Sequence, residues 1–408
     1  DQLDEYLLRN YAISEYQGET NQINKLNRFR QTMQERFGYD PGILDQEVQN
    51  KSNKWACRID AILNPNNQLV FNFRTTTSFR NSHTPSSTNM LVFSNNGKIQ
   101  EQENISASME WKNKINSFTQ NRLLLSYSNH SSYTRPKNQA FPLIRLLDGE
   151  GMIVLGSSED TYLNQLKQTS YHLNNRWSIL SGKHFIDIGV EAEYTVLKNN
   201  FMLNGNGQYF YYSVSNFLQN RTPVEFSINQ LSNKIQGQNI GPTLNLFKWA
   251  LFINYKANLS KNLQLHGGIR WNEERFLNSS QIDSFTNNIA LPILANNHDL
   301  LGAISGKLPR LLAMPSPRLY VKLLLPKWKT HLKIGTGIFS GRIPYAWLSG
   351  IISNNGNNIE QYFAKQDQLR NYPFNPNNTL LHFIPPQNHT LNKGTVYLSA
   401  PKLNLPTL

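Results

Sequence analysis

The chain has 408 residues, of which 39% are hydrophobic, and a formal net charge of +13 with a single cysteine, Cys57. No run of eighteen apolar residues occurs, which excludes a transmembrane helix but not a strand-built span, whose alternating residues keep average hydropathy low. One cysteine excludes an internal disulfide, and basic residues scattered at alternate positions, without a basic helix or zinc-finger spacing, argue against nucleic-acid binding despite the charge.

Residues 1–50 are polar and partly helix-patterned over "INKLNRFRQTMQERFGYDPG". The opening "DQLDEYLLRN" has neither a basic n-region nor an apolar h-region, so a signal peptide is expected to be absent or already removed. From residue 51 a different rhythm begins. "KWACRIDAIL" sets Trp55, Cys57, Ile59 and Ala61 against Lys54, Arg58 and Asp60. "LVFNFRTTTSFR" follows the turn "NPNN" and sets Leu69, Phe71 and Phe73 against Asn72, Arg74 and Thr76. A period of two with Asn/Pro turns predicts a hairpin.

The pattern recurs along the chain. "ISASMEWKNKI" and "NRLLLSYSNHSS" form a second predicted hairpin through "NSFTQ". "YHLNNRWSIL" joins "HFIDIGVEAEYTV" through "SGKH", and in the latter Ile186, Ile188, Val190, Ala192 and Tyr194 oppose Asp187, Glu191 and Glu193. "FKWALFINYKA" pairs with "LQLHGGIRWN", and "PRLYVKLLL" with "THLKIGTGIF". About ten alternating segments in about five hairpins result by the alternation criterion. Connections within pairs are short. Those between pairs are long: 81–104, 133–170, 197–246 and 273–316.

Short turns alternating with long loops leave one end of a sheet trimmed and the other elaborated, as in membrane barrels. Trp55, Phe79, Trp111, Trp177, Tyr194 and Trp271 lie near segment ends, where an interfacial girdle of aromatic residues is expected. The competing reading is a large soluble sheet with one solvated face. The fold expected is all-β: an antiparallel transmembrane barrel present as an open arc of about ten strands, with long extracellular loops. Residues 1–50 are read as a polar connection, 51–340 as the strands, and 341–408 as a long loop leading to a further strand. The edges near Trp55 and Ile334 are expected not to meet. Leu123, Leu125, Ile186, Ile188, Val190, Leu251 and Ile253 are expected on the outer face, and Ser126, Glu191, Lys248 and Arg270 on the inner one.

No Gly-rich phosphate loop, HExxH or GxSxG occurs, and the nine histidines lack metal-ligand spacing, so neither enzyme activity nor a metal or cofactor is expected. Glu191 and Glu193 share a face, which on a polar strand reads as solvation sooner than as a catalytic pair. Gly267-Gly268 reads as a bend or bulge. The sequons at Asn104 and Asn278 are expected by chance in so Asn-rich a chain. Lys112, Arg122, Lys248, Arg270, Arg318, Lys322 and Lys333 fall on the polar face and could line an anion-attracting lumen, or pair with carboxylates of another segment. The lumen-facing candidates are Glu110, Lys112, Arg122, Glu191, Lys248, Arg270 and Lys322.

"FGYDPG" (Phe37–Gly42), "GKHFIDIGVEAEY", "NFLQNRTPVEF" (Asn216–Phe226), "NLQLHGGIRW", "SPRLYV" and "GIFSGRIPYAWLSGIISNNG" (Gly337–Gly356) occur in one order that resembles the barrel region of Oar-like TonB-dependent receptors of the Bacteroidetes. The resemblance runs from about Phe37 to the end, and the last motif is the most specific. It implies a bacterial outer-membrane receptor for a large ligand, set in outer-membrane lipid and coupled to the TonB complex through a plug. The chain departs from the family in showing no plug, TonB box or regulatory sandwich, and no ligand residue carries over. A passive porin-like channel, a surface or secretion-assembly barrel, and a soluble carbohydrate-binding β-protein are the alternatives.

Overall fold

A computed structural model gives the fold, and it describes residues 22–43, 48–87, 89–232, 241, 243–278, 282–369, 374–376 and 392–403. Ten strands form one antiparallel meander, each paired only with its neighbours in sequence. They are β1 (Gln49–Asn64), β2 (Asn67–Ser82), β3 (Lys98–Lys114), β4 (Thr119–Pro136), β5 (Leu163–Ser181), β6 (His184–Met202), β7 (Thr243–Asn258), β8 (Leu263–Phe276), β9 (Met314–Leu325) and β10 (Thr330–Gly337). The five expected hairpins all form. Gly182, at φ +57°, makes the tight β5–β6 turn, and Lys329, at φ +49°, closes β9–β10. No ladder joins β1 to β10, so the sheet is an open, partial barrel. No helix among the described residues is long and apolar enough to cross a membrane.

Alternation decides which side chains share a face, because antiparallel registers place like parity opposite like. One row across the ladder reads Phe71, Met109, Leu125, Leu173, Ala192, Trp249. The next reads Leu69, Trp111, Leu123, Asn175, Val190, Leu251, Trp271. Much of this face is bare of protein: Leu251 is 51% exposed, and Ile188, in the parallel row between Trp177 and Ile253, is 47% exposed. Trp55, Trp111, Trp177, Tyr194 and Trp271 are exposed as well. Cys57 lies on this same face, opposite Phe73.

The strands outrun the ten residues that alternation marks. β5 and β6 have 19 residues each. At about 3.4 Å per residue such strands reach roughly 60 Å, against a hydrocarbon core of about 30 Å. The excess lies toward the long connections, where both faces turn polar, as in the Thr75–Ser78 stretch of β2. Gly267-Gly268 is not a bulge: register runs unbroken through both glycines on either side. Gly268 instead makes room for a neighbour, since a Cβ there would sit 2.5 Å from Asn254 Oδ1.

The long connections build a second sheet. Seven short strands run in the order Asn392–Lys393, Ile359–Lys365, Glu225–Leu231, Gln208–Tyr211, Leu143–Asp148, Gly151–Leu155 and Met90–Val92. They come from three of the connections and from the chain after β10, and two of the pairings are parallel. The main apolar core sits here. Phe29 and Met33 of the Gln22–Phe37 helix pack with Tyr39, Phe93, Ile144, Tyr209, Tyr211, Phe217 and Phe226, all buried. The fourth connection reaches the same region through Ser305, whose hydroxyl donates to the Asn355 carbonyl at 2.5 Å.

"FGYDPG" is the knot that docks the Gln22–Phe37 helix. Gly38 and Gly42 have φ of +66° and +89°, and a Cβ at Gly42 would strike Ser94 Oγ at 2.3 Å. Tyr39 stacks on Phe141 with ring centroids 3.9 Å apart. Arg30 donates twice to Asp40, at 3.2 and 3.0 Å, and the Gly42 N–H donates at 2.8 Å. Burial pushes the Asp40 carboxyl up, but the Arg30 and Gly42 hydrogen bonds outweigh it and hold the group below the usual aspartate range. A depressed folded pKa contributes stability that is complete above the unfolded value and fades as pH falls through the folded one. Undocking of this helix on acidification, followed by hydrogen exchange at 29–33, should therefore begin below the ordinary aspartate pKa, and Arg30→Gln should move the onset upward.

Candidate functional site

The polar face of the large sheet is the candidate site. Its rows read Val70, Glu110, Leu124, Asn174, Glu191, Ala250, Asn272 and, next to it, Asn72, Ser108, Ser126, His172, Glu193, Lys248, Glu274. Ser126, Glu191, Lys248 and Arg270 thus share the face opposite to Leu125, Ile188, Val190, Leu251 and Ile253.

The expected charges meet one another within the sheet. Arg270 donates to Glu191 Oε2 at 2.5 Å and to Asn272 Oδ1 at 2.7 Å, and its guanidinium lies 5.8 Å from the centre of the Phe252 ring. Asn174 donates to the other Glu191 oxygen at 2.8 Å. Phe252 fits because Gly189 stands beside it: a Cβ there would come within 2.3 Å of the ring. Glu110 pairs with Arg122, and Lys112 stands 3.8 Å away. Lys248 is half-buried among Glu193, Glu274, Arg270 and Arg342. Lys322 stands apart, directly opposite Lys333 on the β9–β10 hairpin. Of the seven candidates, Glu191, Arg270 and Lys248 form one cluster, Glu110, Lys112 and Arg122 a second, and Lys322 joins neither.

The segment after β10 covers the first cluster. Asn272 donates to Ser340 Oγ at 3.1 Å, Arg342 forks onto both Glu193 oxygens at 2.7 and 3.4 Å, and the Tyr345 hydroxyl donates to Glu274. Glu274 is only 3% exposed. Burial, reinforced by the Glu274 carboxylate, holds the Tyr345 hydroxyl well above the ordinary phenol range, so it remains a donor. The helix Tyr345–Ser353 then lays Leu348, Ile351 and Ile352 on Leu197, Leu244 and Leu246, and Asn199 donates to Ser349 Oγ at 2.7 Å. Residues read as a loop out of the sheet are, from 340 to 353, folded along its polar face. The apolar run "AWLSGII" beside one arginine was the available signal.

The Asn278 side chain ties the ends of β7 and β8 together, accepting from the Asn245 N–H at 2.6 Å and donating to the Thr243 carbonyl at 2.6 Å. Asn104 contacts His130. Among the described residues no group of His, Cys, Asp and Glu could hold a metal ion.

Comparison with solved structures finds low-identity similarities to outer-membrane proteins. The outer membrane transporter YddB from Escherichia coli is 12% identical with a TM-score of 0.48, the match covering 75% of this chain and 34% of that one. The FrpB iron transporter from Neisseria meningitidis (F3-3 variant) is 9% identical, TM-score 0.43, covering 78% and 43%. The ferric-catecholate import receptor Fiu from E. coli is 10% identical, TM-score 0.40, covering 74% and 48%. This chain therefore spans less than half the length of each. No curated protein matches the sequence. The family model described as "Outer membrane beta barrel domain" matches residues 42–406. With its apolar face bare, its polar face ion-paired and nearly its whole length matched, the chain belongs to the outer membrane beta-barrel domain family and resides in the bacterial outer membrane.

Proposed function

We propose that the chain is the barrel portion of an Oar-like, TonB-dependent outer-membrane receptor that takes up a large ligand, with its polar face turned to the lumen. The observation that carries this reading is a ten-strand sheet that does not close, whose long connections fold together into one module. Strand number and barrel diameter are coupled, so an arc that stays open at ten strands suits a wide barrel. A wide lumen lined by Glu110, Lys112, Arg122, Glu191, Lys248 and Arg270 suits a bulky polar cargo. The loop module would face the cell exterior and meet the ligand first, while a plug and the TonB complex, which the motif resemblance implies, would supply gating and energy. The role is transport, with no chemistry performed on the cargo.

One observation favours a second reading, a passive specific channel. Residues 340–353 lie along the polar face and are pinned by Arg342 and Tyr345, as a constriction loop would be. Planar-bilayer conductance of the full-length natural protein separates the two. The receptor reading expects no steady conductance, in the wild type or in Arg342→Ala. The channel reading expects steady conductance that rises in Arg342→Ala, because removing the fork on Glu193 loosens the segment.

A further inference from the structure

Near the short turns, the polar face carries a charge pattern that the ion pairs described above leave unbalanced. One ladder row reads Gln68, Lys112, Arg122, Arg176, on four adjacent strands. Residues directly opposite in an antiparallel pair have Cβ atoms about 5 Å apart, and like charges there destabilise the pairing. Three cations side by side therefore need anions. Glu110 serves Arg122 and Lys112. Asp187, the other carboxylate nearby, is bonded to Ser178, and Asp60 is bonded to Arg58 at 2.6 Å. The Arg176 guanidinium has no hydrogen-bond or ion-pair partner among the described residues. Together with Lys114, these cations line a cavity of about 420 Å³ whose remaining walls are largely Asn, Gln and Ser.

We propose that this cavity is an oxyanion site, in which Arg176 and Arg122 fork onto a carboxylate or phosphate group and Lys112 supplies a third charge. Guanidinium groups suit this ligand because their paired N–H donors match two oxygens of one anion. The site rests on the polar face being the interior. It lies at the short-turn end, remote from the Arg342–Glu193 contact. Two sources offer such a group: a dissolved anion on its way through the barrel, or a carboxylate of the protein's own chain outside β1–β6.

The test uses the full-length natural protein in detergent, with inorganic phosphate as the probe and calorimetry as the readout. Wild type should bind phosphate with an affinity that falls as salt rises. Arg176→Gln should weaken binding about ten-fold or more, one charge-assisted contact being lost. Arg122→Gln checks the same site independently should the first variant fold poorly. If the site is filled by the chain itself, phosphate will not bind, and zero-length carbodiimide coupling should instead link Lys112 to a carboxylate outside β1–β6, located by mass spectrometry. Wild type that neither binds phosphate nor forms that link overturns the site, as does phosphate binding unchanged in both variants. The outcome is independent of the conductance result, since a passive channel can hold this anion and a coupled receptor can lack it.

Discussion

Replacing Ile188 with arginine should stop the sheet from assembling in the outer membrane. Ile188 lies on β6 between Trp177 and Ile253, in the bare apolar rows, and no protein group is placed to receive a charge there. An arginine on the lipid face costs about 2–4 kcal/mol near the bilayer midplane and about 0–1 near the interfaces. Net stabilities run to only about 5–15 kcal/mol, so the first figure is a large share of the whole. Thr77→Arg is the matched control. Thr77 has the same parity on β2 but lies loopward of the apolar stretch, where strands outreach the hydrocarbon. Assembly is read as the fraction of protein that migrates as a folded, heat-modifiable band from outer membranes. Ile188→Arg should lose most of that band and Thr77→Arg should keep it. Equal yields from the two would contradict a lipid-facing apolar side.

The ten strands were legible because each writes its own periodicity. A residue such as Ile188 needs only its neighbours two positions away to be placed on a face, and the short Asn-, Gly- and Pro-containing turns mark where the chain reverses. The same logic explains where the reading stopped short. Strand stretches such as Thr75–Ser78 are polar on both faces, so they carry no alternation, yet backbone hydrogen bonds extend them in register with β3. The loop sheet was not legible at all. Its strands have two to seven residues, too short for a period to appear, and its parallel pairs join segments such as Leu143–Asp148 and Gln208–Tyr211. Nothing local in either segment names the other.

The polar face was half legible. Parity put Glu191, Lys248 and Arg270 together, and the register then brings Arg270 onto Glu191. Arg342 and Tyr345 could not be assigned, because their partners Glu193 and Glu274 lie far away in sequence and only the fold returns the segment to them. Their motif, "GRIPYAWLSGII", was the most specific part of the family resemblance. Its residues make the contacts that pin the segment to the sheet, which gives a physical reason for the motif's composition: a charged fork and a phenol donor to anchor it, then an apolar helix to cover Leu244 and Leu246.

Phe217→Ala should unfold the loop module and leave the large sheet standing. Phe217 is fully buried and its ring contacts Phe37, Tyr211 and Phe374 at centroid separations of 5.5, 5.2 and 5.3 Å. It sits on the short helix Val214–Leu218, whose first turn is capped by Ser213, the hydroxyl accepting from the Asn216 N–H at 3.1 Å. Truncating a buried phenylalanine costs about 3–5 kcal/mol. The module has short strands and one main core, so a loss of that size falls on all its parts at once, the Gln22–Phe37 helix included through Phe37. The large sheet shares none of these contacts. Its stability comes from ladder hydrogen bonds and from lipid on its apolar face. Limited proteolysis of the purified protein in detergent should therefore cut Phe217→Ala rapidly within 89–97, 137–162 and 203–232, where wild type resists. The heat-modifiable band of the folded sheet should persist in both. Phe217→Leu, which keeps most of the volume, should be cut at an intermediate rate. Loss of the folded band together with the loops would show instead that module and sheet fold as one cooperative unit, and that the loop core supports the barrel wall.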